Sequence, residues 1–239
     1  MNTRGLLDQL LKSGQDMLQK QGGQASARGS APAGLGGLLG GGGLGGLLSG
    51  ATGGALAAGA MGLLLGNKSA RKLGGKALTY GGLAALGVIA YKAYGNWQAQ
   101  QAAAPQGEPQ TLDRLPAAQV EQHSQGILKA LVAAAKADGH VDARERQLIE
   151  GEFVKLTQDV ELQHWLEAEL NKPLDPAEVA RAATTPEMAA EMYVASVLMV
   201  DEEHFMERAY LEELARQLKL DTALKGELEA QVRVELNAG

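Results

Sequence analysis

In the second half of the chain, apolar residues recur at three- and four-residue intervals, and no stretch alternates as a strand would. Val120, Ile127, Leu128, Leu131, Val132 and Ala135 form one helical stripe. Asp142 followed by Glu145 reads as a capping box that opens a second helix with Leu148, Ile149 and Phe153. Asp159 is placed to cap a third, which carries Leu162, Trp165, Leu166 and Leu170 and stops near Pro173. In Asp175-Pro176-Ala177-Glu178 an N-cap, an N1 proline and an N3 glutamate stand in order, and Thr185-Pro186-Glu187 restarts the pattern. Met188–Val200 is apolar nearly all round and is expected to be the central helix. His204–Leu218 and Asp221–Leu236 complete about seven helices. The expectation is an all-α, compact helical bundle over residues 117–239.

The first half follows other rules. Residues 1–20 form an amphipathic helix, with Leu6, Leu7, Leu10, Leu11, Met17 and Leu18 on one face, fit to lie on a membrane or a partner helix. Residues 21–34 read as a flexible linker by composition. Residues 35–97 are a glycine-rich hydrophobic membrane region. Within it Gly42, Gly46, Gly50, Gly54, Ala58, Gly62 and Gly66 fall at every fourth position. On a helix they make a small-residue seam through which backbones approach closely in lipid, a route to homo-oligomers. A disordered tract is the competing reading, because glycine costs about 1 kcal/mol per residue against alanine in a helix. The best single span is 73–97, long enough for a bilayer core, with Tyr80 near one end and Tyr91, Tyr94 and Trp97 near the other. Residues 98–116 are a Gln/Ala/Pro linker.

Charge divides at the same place. Before residue 111 there are nine Lys/Arg and three Asp/Glu, and after it 13 Lys/Arg and 25 Asp/Glu. The basic half suits anionic lipid headgroups, whereas the acidic half would be repelled by phosphates, so no nucleic-acid partner is expected. Lys68, Arg71, Lys72 and Lys76 flank the span and put the N-terminus in the cytoplasm and the acidic domain on the periplasmic side of a bacterial inner membrane. Glycine is divided too: 27 of the 32 precede residue 111, so a packed core is expected only beyond it. The absence of cysteine excludes disulfides and thiolate metal sites.

No phosphate-binding loop, nucleophile elbow or His-Glu-x-x-His motif is present. Glu161-x-x-His164 matches half of a di-iron motif, but its second copy is missing. No cofactor and no enzymatic activity are therefore expected.

The run from Ala137 to Arg146 (ADGHVDARER) resembles the first helical hairpin of the TerB-like tellurite-resistance fold, and Val200–Leu211 resembles its counterpart. Across most of its length the chain resembles the YebE-type inner-membrane family, which joins a leucine-rich start and a Gly/Ala-rich middle to such a domain. The resemblance implies a compact all-α domain, a membrane-associated bacterial protein and a link to envelope or tellurite stress. It also implies a divalent metal ion held by two acidic loops, with Asp138, Asp142 and Glu145 in the first and Asp201 and Glu207 in the second. The spacings differ between the loops, and the second lacks the glycine. Asp142 and Glu145 also have ordinary work as a helix cap and its partner. Two readings stay open: a membrane-anchored accessory protein that engages the lipid bilayer and an unidentified protein partner, and a metal-ion-binding sensor.

Overall fold

A computed structural model describes residues 2–8, 83–101, 107–139, 147, 149–151, 154, 157–200 and 204–237. Among them every regular element is a helix. We number these α1 (3–8), α2 (Leu83–Gln100), α3 (Ala117–Ala134), α4 (Val160–Asn171), α5 (Pro176–Ala180), α6 (Pro186–Met199), α7 (Phe205–Gln217) and α8 (Thr222–Asn237). Positions 147, 149–151 and 154 are also helical, and Ile149 is buried. With that segment, residues 117–239 hold the expected set of about seven helices.

The starts of α4, α5 and α6 are set locally. The Asp159 carboxylate accepts the Leu162 N–H at 3.2 Å, Asp175 accepts Ala177 N–H at 2.8 Å, and the Thr185 hydroxyl accepts Met188 N–H at 3.1 Å. These side chains satisfy amides that have no partner within the helix. Pro176 and Pro186 occupy first-turn positions, where a missing N–H costs nothing.

α6 is central because its apolar residues occupy the whole circumference and must be covered on all sides. Met188, Met192, Tyr193, Val194 and Ala195 are each 1% exposed or less. α2, α3, α7 and α8 pack around it, while α4 and α5 lie against α3. α3 crosses α6 at Gly126, where an added methyl group would lie 2.3 Å from Met188 Cε and 3.1 Å from Met192 Sδ. The glycine sets how closely the two helices approach.

The second half of the expected span, α2, packs on protein. Leu86, Ile89, Ala90, Ala93 and Tyr94 are buried against α6 and α8. Polar ties to α8 run antiparallel along it: Lys92 Nζ to Glu235 (2.7 Å), Asn96 to Glu227 (3.3 Å) and Trp97 Nε1 to Asp221 (3.1 Å). The aromatic residues read as an interfacial belt are joined in this packing, Tyr94 and Trp97 meeting edge to face at 5.6 Å. Among the described residues no helix is long and apolar enough to cross a membrane. Residues 73–82 and the seam from Gly42 to Gly66 lie outside the described residues. The expected linker also differs over 107–116, where Thr111 and Leu112 are buried. An added methyl at Gly87 of α2 would lie 2.9 Å from the Asp113 backbone nitrogen, so this turn is held close against the helix.

α1, the start of the expected amphipathic helix, lies on the same bundle. Leu6 and Leu7 are 3% and 1% exposed and join the common apolar cluster.

Candidate functional site

In the two acidic loops the TerB-like resemblance implies a divalent metal ion. Asp138 stands half-buried in the turn that follows α3. Gly139 beside it has φ +85°, the left-handed region, and its N–H donates to Lys136 O at 3.0 Å. That conformation explains the glycine in the motif. A methyl added there would lie 3.1 Å from Met206 Cε, so the first loop abuts the first turn of α7. Glu207, the next residue, is 7% exposed. The flanks of the two loops are thus neighbours. Asp142, Glu145 and Asp201 lie outside the described residues. Among the described residues no three His, Asp or Glu gather in a way that could hold a metal ion. Glu161 and His164 are both exposed on α4.

A second constellation escaped the sequence reading. His123 of α3 and Glu191 of α6 meet in the core, Nδ1 to Oε2 at 2.6 Å. Their side chains are 5% and 0% exposed. The other Glu191 oxygen accepts the Leu112 N–H from the turn before α3. Burial pushes the Glu191 carboxyl above the usual carboxylate range. The hydrogen bonds from His123 and Leu112 oppose that rise, and the nearby Asp113 charge reinforces it. One carboxylate therefore joins α6, α3 and the 107–116 turn. Closed to solvent, the pair can share a proton within the core but presents no face to a substrate.

At the surface, a shallow groove beside α3, α4 and α5 carries alternating charges. Lys172 Nζ lies 2.5 Å from Glu169 and 3.2 Å from Glu178, and Lys129 reaches Glu178 at 3.0 Å. Lys136 donates to the carbonyls of Glu169 and Lys172, closing the carboxyl end of α4, where a cation is favoured. Lys129, and then Lys172, hold the Glu178 carboxyl below its ordinary range. The opposite charges are matched inside the groove, which makes it a clamp between helices.

Comparison with known proteins places this geometry in context. A family model described as "Protein of unknown function (DUF533)" matches residues 50–232. An uncharacterized protein in the ampR 5' region of Yersinia enterocolitica is 34% identical over 128 residues, covering 54% of this chain and 91% of that protein. No solved structure matches the chain.

Proposed function

The chain belongs to the DUF533 family, and from that footing we propose that it is a non-enzymatic, membrane-anchored accessory protein whose acidic helical domain engages a protein partner at the membrane surface. The observation that carries this is the packing of α2. The glycine-rich tract leads, through a short segment that carries Lys68, Arg71, Lys72 and Lys76, into a helix seated on α6 and α8, so a membrane-held tract would also hold the bundle. Charge supports the same arrangement, with a basic half for anionic headgroups and an acidic half for water. The bundle's buried carboxylate is sealed in the core, and the matched groove is spent on joining helices. The resemblance to the YebE-type inner-membrane proteins adds the bacterial inner membrane as location and envelope or tellurite stress as the setting. The glycine seam provides a homo-oligomer contact within the bilayer.

Fractionation of cells that carry the full chain tests this. The full chain is expected to stay with membranes through an alkaline wash, and removal of residues 35–82 is expected to release it. A full chain recovered in the soluble fraction would overturn the reading.

The approach of Gly139 to Met206 favours a second reading, a divalent-ion sensor of the TerB-like kind, because it brings the flanks of the two acidic loops together. Asp138, Asp142, Glu145, Asp201 and Glu207 would supply oxygen ligands of the type that Ca²⁺, Mg²⁺ or Mn²⁺ prefers. Calorimetric titration of the full chain with Ca²⁺ and Mn²⁺ decides: heat that disappears in Asp138→Asn supports the sensor, and no heat with the wild type ends it.

A further inference from the structure

The contact between α1 and the bundle joins residues far apart in sequence, and its chemistry is that of a ligand in a receptor. Thr3 N–H donates to Glu121 Oε1 at 2.7 Å and Arg4 N–H to Glu121 Oε2 at 3.2 Å, so one carboxylate of α3 spans two successive amides at the start of α1. Asn2 N–H donates to Asp159 Oδ2 at 2.9 Å. The other oxygen of Asp159 accepts Leu162 N–H, so a single carboxylate caps α4 and receives the incoming chain. Asn2 also accepts Gly5 N–H at 3.0 Å, which pre-folds the turn. Thr3 is fully buried, Leu7 nearly so, and Leu6 at 3%, whereas Arg4 and Asp8 face solvent with side chains about half exposed. Amides that a helix leaves unpaired, and a pair of apolar side chains, are thus met by two carboxylates and an apolar seat on the bundle. Anions placed at a helix start also interact favourably with its dipole.

We propose that the face of the bundle bearing Glu121 and Asp159 is a receptor for a short amphipathic helix, and that its resident ligand is this chain's own N-terminal segment, bound as a separable peptide. Recognition needs free amides at the helix start, a small buried residue at Thr3 and the Leu6–Leu7 pair. The inference deepens the reading of the bundle as an interaction domain and rests on it. Its test involves no membrane, so the two can fail separately.

The test uses the full chain and a fluorescent peptide of residues 1–12. In Leu6→Asp/Leu7→Asp the resident ligand is disabled and the seat is empty. The labelled peptide is expected to bind this variant at least tenfold more tightly than it binds the wild type. Adding Glu121→Lys is expected to weaken that binding at least tenfold. Equal binding to wild type and variant, indifference to Glu121→Lys, or no binding at all would overturn the proposal. Should the double variant fail to fold, hydrogen exchange on the wild type decides instead. Slowed exchange at the Thr3 and Arg4 amides, lost in Glu121→Lys, supports the receptor, and exchange at the rate of a free peptide overturns it. A wild-type dimer that dissociates on Leu7→Asp would mean that a second copy supplies the helix, which overturns the assignment to the chain's own segment.

Discussion

At the scale of single residues, Glu191 is the most consequential side chain in the bundle. It is the one charged residue between Met188 and Val200, in a helix otherwise apolar on every side. Glu191→Ala would strip the acceptor from both His123 and the Leu112 N–H while leaving those donors buried. Breaking a buried pair by deleting one member typically costs about 3–5 kcal/mol. A loss of stability of about that size is expected in urea denaturation, and a loss below about 1 kcal/mol would show the pair to be dispensable. The sequence carried a signal here, since a carboxylate inside an apolar helix must find a buried partner. Its partner was hidden because His123 lies 68 positions away on another helix. The caps Asp159, Asp175 and Thr185 were readable because each acts within three residues of itself.

Among the elements, α7 ends in an instructive way. Leu220 N–H donates to Ala215 O at 3.1 Å and Lys219 N–H to Arg216 O at 3.2 Å, the paired bonds of a Schellman motif. Glycine is the usual residue at the left-handed position, but here Lys219 holds φ +55°. A side chain in that region costs roughly 1–2 kcal/mol. Lys219→Gly is therefore expected to stabilise the protein by about 1 kcal/mol, seen as a higher urea midpoint with an unchanged slope. A lower midpoint would show that the lysine makes a compensating contact. Sequence reading ended this helix at Leu218, one residue beyond its observed last residue, Gln217. At α2 the same reasoning reached its limit. An apolar stripe announces that a face is covered, and it is silent on whether lipid or another helix covers it.

Across the whole molecule, the N-terminal segment and α2 both return to the bundle that the sequence had placed apart from them. The Leu6–Leu7 face cannot lie in a bilayer and on Glu121's helix at once. Acid should part the two. Asp159 is held below its ordinary value of 3.8, chiefly by the Leu162 N–H and further by that of Asn2. A depressed carboxylate contributes stability that is present above the unfolded value and lost as pH falls through the folded one. The amide resonances of Asn2 and Leu162 are expected to titrate together with a midpoint below 3.8, and a midpoint at or above it would remove Asp159 from the docking. The antiparallel seat of α2 on α8 has a further consequence, in time. Ribosomes add about 5–20 residues per second, and α8 begins about 120 residues after α2 ends, so α2 emerges roughly 6–25 s before its partner exists. During synthesis its apolar side is a vacancy open to a chaperone or an insertion machinery until α8 arrives.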